Sequence, residues 1–164
     1  MLEVNIGKEL KEKRPRMALG ALLCQVSNTW HDESLWEEIT RVCQRIRQEF
    51  TLETIKCQPN IAATRETYKA CGKDPNRYRP SADALYRRIV KGMDLYQITT
   101  LVDLVNLVSL ETGYSIGGFD ASLVKWPVMA GIGKKNEPYE GIGRGQLNIE
   151  NLPVLRDQIG AIGT

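Results

Sequence analysis

The sequence predicts an α+β fold, and two observations carry that prediction. In residues 33–112, apolar side chains recur at the three- and four-residue spacing of amphipathic helices. After residue 113, glycines separate short apolar runs such as WPVMAGIG and PYEGIG, which is typical of β-hairpins and bulged strands. A run of helices followed by a run of strands indicates the α+β class.

The first part of the chain is expected to form a strand, a short helix and a second strand. Residues 2–6 alternate well enough for a strand, and residues 8–13 can form a turn or two of helix that Pro15 ends. Residues 17–26 form a short, bounded apolar run, which favours a buried strand over a helix.

Four longer helices are expected next, each bounded by capping residues. Asp32 or Ser34 caps the first, and its buried face runs from Leu35 to Phe50. In the last helix, Asp103 follows Thr100 at the spacing of a capping box. The other expected N-terminal residues are Asn60, Ser81 and Thr100, and the expected C-terminal stops are Gly72, Gly92 and Gly113. Residues 153–159 are expected to form a final strand or turn.

The bulk composition is that of a globular protein. The chain has 164 residues, 42% of them hydrophobic and 26% charged, which suits one soluble domain. The N-terminus lacks the apolar core of a signal peptide, and the longest apolar run is too short to span a bilayer. We therefore expect a cytoplasmic protein that does not cross a membrane.

Metal and cofactor chemistry is not indicated. Cys24, Cys43, Cys57 and Cys71 contain no Cys-x-x-Cys pair, and His31 is the one histidine, so the usual zinc spacings cannot be assembled. The glycine-rich GIGRG and GGFD do not form a P-loop or dinucleotide pattern, and turn geometry explains them better than anion binding. We expect reduced thiols, no metal and no cofactor.

A basic segment lies in the middle of the chain. Residues 65–91 hold eight basic and three acidic residues, a net charge of +5, although the whole chain carries only +2. Lysine and arginine on two neighbouring helices can neutralise several phosphates, and the interleaved Tyr68, Tyr78 and Tyr86 could stack on bases. The alternative is a solvated helix face with Tyr86 in the core.

Three polar residues interrupt the otherwise apolar last helix: Asp103, Asn106 and Ser109. Such a stripe forms either structural hydrogen bonds with a neighbouring loop or the floor of a pocket. A first-turn position explains Asp103, but no local role explains Asn106. Both interpretations stay open from the residues alone.

The segment LVDLVNLVSLETGYSIGGFD resembles part of the phenylalanyl-tRNA synthetase beta chain, with the pattern V-D-x-x-N-x-x-x-x-E-x-G followed by a turn and F-D. The matching positions are Asp103, Asn106, Glu111, Gly113, Phe119 and Asp120. The run RETYKACGKDPNRYRPSADALYRRI is similar to free-standing relatives of that region, the B3/B4 (tRNA-editing) domain proteins. It matches them at Arg65, Tyr68, Gly72, Asp74, Pro75, Arg79, Pro80 and Ser81.

The resemblance implies an α+β domain with layered, β-sandwich-like sheets and packed helices. We expect residues 1–164 to form one such domain that lacks its native C-terminal segment. In the synthetase, this domain hydrolyses tyrosine wrongly esterified to the phenylalanine tRNA, which needs a positioned water and a polarised carbonyl more than an activated nucleophile. Gly117 departs from the family because it stands where the synthetase has an editing histidine. A second editing residue, a glutamate, belongs to a later segment that this chain does not reach.

The expected partner is therefore tRNA or its aminoacylated end, and the enzymatic form of the hypothesis adds hydrolysis of a mischarged ester in trans. One alternative is a non-catalytic module that binds RNA or a small metabolite, which Gly117 favours. Another is an interaction protein without a ligand. No catalytic residue is assigned. The expected pocket residues are Asp103, Asn106, Gly117 and Gly118. The expected phosphate contacts are Arg65, Lys69, Arg77, Arg79, Arg87 and Arg88.

Overall fold

The computed structural model describes residues 2–164 and has the predicted α+β class. These residues form five α-helices and six strands, which make one four-stranded mixed sheet and one two-stranded ribbon. The chain divides into two compact units. The sheet unit comprises residues up to Cys24, Glu66–Pro75 and Phe119–Thr164, and the helical unit comprises Gln25–Arg65 and Asn76–Gly118. The expectation of a single domain lacking a C-terminal segment stays a prediction.

The sheet unit contains all six strands and one short helix. Its elements are β1 (Val4–Ile6), α1 (Lys8–Lys13), β2 (Val128–Ile132), β3 (Glu140–Gly141), β4 (Gly145–Gln146), β5 (Pro153–Arg156) and β6 (Ala161–Gly163). The strand order in the sheet is β1-β2-β5-β6, with β1 parallel to β2 and the other neighbours antiparallel. Strands β3 and β4 form the separate ribbon. Leu10 of α1 is 1% exposed and packs with Ala130 of β2.

The helical unit packs its helices around one apolar core. Its elements are α2 (Glu33–Glu49), a short 3-10 helix (Ile55–Cys57), α3 (Pro59–Cys71, whose last residues belong to the sheet unit), α4 (Ser81–Val90) and α5 (Thr100–Thr112). Each helix presents one apolar stripe inward, and burying each such side chain contributes about 1.5–3 kcal/mol. The fully buried members include Ile39, Ile46, Ile61, Ile89 and Leu110.

Several predicted boundaries are confirmed. Residues 2–6 contain β1, and residues 8–13 form α1. The Asp32 side chain caps α2 by accepting a hydrogen bond from the Leu35 backbone N–H at 2.9 Å. Gly113 follows α5 with a φ of 73°, a left-handed conformation that favours glycine.

The predicted strand at residues 17–26 is wrong. The segment has no regular secondary structure, and no backbone hydrogen bond pairs residues 18–26 with another described strand. Leu22 is 88% exposed and Leu23 is 58% exposed. A strand exists only through its ladder partner, and a local apolar run carries no information about whether the rest of the chain supplies one.

Two predicted caps are also wrong. The side chain of Gln58, not that of Asn60, caps α3 by accepting a hydrogen bond from the Ile61 N–H at 2.8 Å. Asn60 instead donates to the Thr112 carbonyl at the end of α5, at 2.7 Å. Helix α4 begins at Ser81, so this serine is the first residue of the helix and not its cap. The Ala82 backbone N–H in the first turn instead donates to the Ser115 hydroxyl at 3.3 Å. Asparagine has the same local preference for either role, so only the tertiary fold decides between them.

An ion pair in the sheet unit clamps β5 to the loop after β2. The Arg156 guanidinium binds both carboxylate oxygens of Glu137, with an Nη2–Oε2 distance of 2.6 Å, and also donates to the Ile132 carbonyl at 2.8 Å. The side chains are only 19% and 12% exposed, respectively. The hydrogen bond from Arg156 lowers the pKa of Glu137 below its ordinary value of 4.5.

We predict that Glu137→Gln destabilises the protein by about 1–3 kcal/mol at pH 7, because it removes a charge-assisted bidentate interaction. Since the pKa of Glu137 is lower in the folded state, the stabilisation is complete above pH 4.5 and is lost as the pH falls through the folded-state value. Urea unfolding between neutral and acidic pH measures both effects, and the variant and wild type should converge in acid. Glu140→Gln removes an exposed carboxylate from the same unit and should match wild type at every pH. Equal destabilisation by both variants would contradict the prediction.

Candidate functional site

A buried ionic network accounts for two of the six arginines and lysines that were predicted to bind phosphate. The Asp83 side chain on α4 has no exposed surface. Arg65 of α3 binds one of its carboxylate oxygens, and Arg87, one turn further along α4, donates to the other at 2.8 Å. The Arg65 guanidinium also donates to the Asn76 side chain at 2.7 Å.

This network gives Arg65 and Arg87 structural roles. Arg65 is 7% exposed, and Arg87 additionally donates to the Leu52 carbonyl at 3.2 Å. A guanidinium that neutralises a buried carboxylate cannot turn to solvent without leaving that carboxylate unpaired. The expectation that Arg65 meets a phosphate therefore does not fit its position, and Arg87 is largely committed to the protein.

The remaining predicted cations are closer to solvent. Arg77 and Arg79 are exposed in the loop before α4, and neither forms an ion pair with another described residue. Lys69 is exposed on α3, in the part that belongs to the sheet unit, and pairs with Glu66 at 2.8 Å. Exposed cations of this kind can exchange their counterions for phosphates at little cost in stability.

Arg88 lies at the end of α4 and contacts an aromatic residue that the sequence interpretation missed. Its guanidinium carbon is 3.8 Å from the centroid of the Tyr96 ring, a cation–π contact. Tyr96 is 66% exposed in the segment after α4. The sequence signal for this contact was an aromatic residue a few positions beyond a helix that ends in basic residues. By contrast, the predicted stacking residue Tyr86 is 3% exposed, and burial raises the pKa of its hydroxyl, which donates to the Leu110 carbonyl at 2.6 Å.

Two of the three polar residues on α5 are buried and form structural hydrogen bonds within the helical unit. Asp103 is 1% exposed, and its two oxygens accept hydrogen bonds from the Trp36 indole N–H at 2.9 Å and the Ile98 backbone N–H at 3.1 Å. Ser109 is 2% exposed and donates to the Tyr114 carbonyl at 2.6 Å. These bonds fasten α5 to α2 and to its own flanking segments.

Asn106 differs from its neighbours on the stripe. It is half-buried, one turn beyond Asp103, and its side chain has no hydrogen-bond partner among residues 2–164. A carboxamide offers two donors and an acceptor, so an unpaired one at a half-buried position is free to bind a ligand or water. Among the three polar residues of α5, Asn106 is therefore the one whose side chain is available to a ligand, as expected of a pocket residue.

Gly117 and Gly118 lie in an exposed loop after α5. Neither has a positive φ, and a Cβ added at Gly118 would meet no atom within 4 Å. No hydrogen bond within the described residues links this loop to Asp103 or Asn106. The structure therefore places Asp103 and Asn106 together on one helix but does not join the two glycines to them, and the four-residue pocket stays a prediction.

Two concave regions of the helical unit lie elsewhere. One has a volume of about 370 Å³ and contains the Arg45–Glu111 ion pair, whose atoms are 2.9 Å apart, beside Phe50. The other, of about 490 Å³, lies along α2 over Trp36. Neither is lined by Asp103, Asn106, Gly117 or Gly118.

Neither a metal cluster nor a membrane-spanning helix occurs in the described part of the chain. Residues 2–164 contain no group of three or more histidine, cysteine, aspartate or glutamate side chains placed to hold a metal ion. No helix among them has both the length and the apolar character needed to cross a membrane.

Comparison with known protein families gives a match to the C-terminal part of the chain. The B3/4 domain family matches residues 63–164, a region that begins within α3 and contains α4, α5 and strands β2–β6. No curated protein and no solved structure matches the chain. The matched region holds both the basic segment and the α5 motif, so the resemblance inferred from those residues is confirmed.

The buried network around Asp83 generates a stability prediction. Arg65→Ala should destabilise the protein by about 3–5 kcal/mol, because it leaves the Asp83 carboxylate buried with one of its two cations missing. Arg65→Lys keeps the charge but loses the forked geometry, and should fall between Arg65→Ala and wild type. Urea unfolding at neutral pH measures the differences.

Arg77→Ala is the matched control, since it removes an exposed arginine of the same unit and should change the free energy of unfolding by no more than about 0.5 kcal/mol. A destabilisation below about 1 kcal/mol for Arg65→Ala would show that Arg87 alone compensates Asp83.

Proposed function

Because the chain belongs to the B3/4 domain family, we propose that it binds tRNA or the aminoacylated end of a tRNA in the cytoplasm. Membership of the family supports a nucleic-acid-binding context in general. The choice of tRNA follows from the family's association with the phenylalanyl-tRNA synthetase beta chain.

The observation that carries the proposal is the exposure of the cations that are not used in the Asp83 network. Arg77 and Arg79 are exposed in the loop before α4 and form no ion pair with any of residues 2–164. Lys91 is exposed just beyond the end of α4. Phosphate contacts of this type supply most of the affinity of non-specific binding, and they make binding strongly dependent on salt. Arg65 is left out of the proposed interface, and Arg87 contributes only its charge.

The proposal extends to the aminoacyl group through Asn106. An aminoacyl ester is intrinsically labile, so its hydrolysis can proceed with a positioned water and a polarised carbonyl. The Asn106 carboxamide, which has no hydrogen-bond partner in the described part of the chain, can donate to an ester carbonyl or hold a water in its place. Asp103 is not proposed as a base, because both of its oxygens already accept hydrogen bonds from the protein.

A non-catalytic binding module is the second candidate. It is favoured by Gly117, which stands in an exposed loop at the position where the synthetase has a histidine. Without that imidazole, the predicted pocket contains no histidine to act as a general base. In this form the protein would bind the RNA or a small metabolite and leave the ester intact.

We predict that the double variant Arg77→Glu, Arg79→Glu binds tRNA at least about tenfold more weakly than wild type, because two phosphate contacts become repulsive. The slope of log affinity against log salt concentration should fall by about one for each phosphate that the variant no longer neutralises. Filter binding or fluorescence anisotropy over a salt series measures both quantities.

The control variant is Lys125→Glu, Lys135→Glu, which makes the same change in net charge at exposed positions of the sheet unit. Equal weakening by both double variants would show that binding follows net charge and not the loop before α4. Absence of any tRNA affinity in wild type would overturn the proposal.

Hydrolysis is tested separately, with a panel of mischarged tRNAs and the release of free amino acid as the readout. If the protein is a deacylase, wild type accelerates release above the rate without protein. Asn106→Ala should then slow it by about 10- to 100-fold while leaving tRNA affinity unchanged. If wild type binds tRNA but releases nothing from any member of the panel, the non-catalytic candidate is correct.

A further inference from the structure

We propose that Tyr96, supported by Arg88, is a stacking platform for an unpaired base of a bound RNA. The inference rests on the proposed RNA binding and deepens it, because it assigns a contact with a nucleobase in addition to the contacts with phosphates. Neither residue was predicted from the sequence to stack on a base.

The ring has one supported face and a large exposed area. Arg88 covers one face at 3.8 Å, while 66% of the Tyr96 surface remains accessible. Every nucleobase has a flat π face, so an exposed aromatic ring can stack on it without any sequence preference, and an arginine in contact with the ring adds to the attraction.

The platform is held in place by its backbone. Gly92 turns the chain after α4 with a φ of 80°, and the Met93 N–H then donates to the Arg88 carbonyl at 3.1 Å. Leu95, directly before Tyr96, is 8% exposed and packs in the apolar core. The Arg88 side chain donates to the Asp94 carbonyl. A ring fixed in this way loses little conformational entropy when a ligand stacks on it.

The surrounding charges favour a polyanion. Asp94 is the nearest acidic group along the chain, and it is already paired with Arg47 at 2.7 Å. Arg88 and Lys91 supply two further positive charges on the same stretch. A cationic surface with an aromatic ring exposed in it is the arrangement by which proteins bind single-stranded nucleic acid. The unpaired end of a tRNA is a ligand of that chemistry.

The test compares variants of Tyr96 in binding to a labelled single-stranded RNA of about ten nucleotides, measured by fluorescence anisotropy. Tyr96→Ala and Tyr96→Leu should weaken binding by about 5- to 100-fold, because both remove the π face, while Tyr96→Phe should stay within about twofold of wild type. The salt slope should not change in any of them, since every phosphate-binding cation is retained. Tyr96→Leu keeps an apolar side chain, so it separates stacking from any loss of folding.

The matched control is Tyr114→Ala, which removes another exposed tyrosine of the helical unit, 58% accessible, and should bind as wild type does. A fully paired RNA duplex offers no free base, so its affinity should be the same for wild type and Tyr96→Leu.

The outcomes distinguish the two proposals. If wild type binds tRNA and the single strand but Tyr96→Leu binds equally well, the platform is wrong and the proposed function stands. If wild type binds no RNA, both fail. Equal weakening by Tyr114→Ala and Tyr96→Leu would also overturn the assignment to Tyr96.

Discussion

The packing of α3, α4 and the loop before α4 depends on neutralising the buried carboxylate of Asp83. It has no exposed surface, so folding removes it from water, and Arg65 and Arg87 compensate its charge by binding its two oxygens. The Arg65 guanidinium also donates to the Asn76 side chain, directly before Arg77 in the loop that carries Arg77 and Arg79. The residues that we propose to contact RNA thus lie in a segment that an internal ionic network positions.

Counting charges along a sequence cannot separate arginines that neutralise a buried carboxylate from arginines that are exposed and able to contact phosphates. The segment 65–91 carries a net charge of +5, yet part of that charge neutralises one buried carboxylate. The i, i+4 spacing of Asp83 and Arg87 was visible in the sequence, but surface pairs at this spacing are common and contribute little. Burial gives the pair its importance, and burial depends on the packing of α4 against α3, which the i, i+4 spacing does not reveal.

The parts of the fold that were predictable are those governed by local physics. Helical periodicity located α2, α4 and α5, and the glycine at position 113 marked a helix end because a left-handed conformation is required there. The wrong predictions concern the strand or hydrogen-bond partner with which a segment pairs. Residues 17–26 look like a strand only if a neighbouring strand is assumed, and Asn60 can bond either to its own helix or to the end of α5. Neither choice is encoded within the segment itself.

The same distinction applies to the candidate pocket. The sequence grouped Asp103, Asn106 and Ser109 as one polar stripe and offered a local role for Asp103 alone. The fold gives Asp103 and Ser109 partners and leaves the Asn106 carboxamide without one among the described residues. A carboxamide can orient a carbonyl or a water, but it cannot accept a proton near neutral pH. Any hydrolysis at Asn106 would therefore depend on the lability of the ester and the position of the water. For this reason we propose binding as the primary function, and catalysis would be a consequence of how the bound end is held.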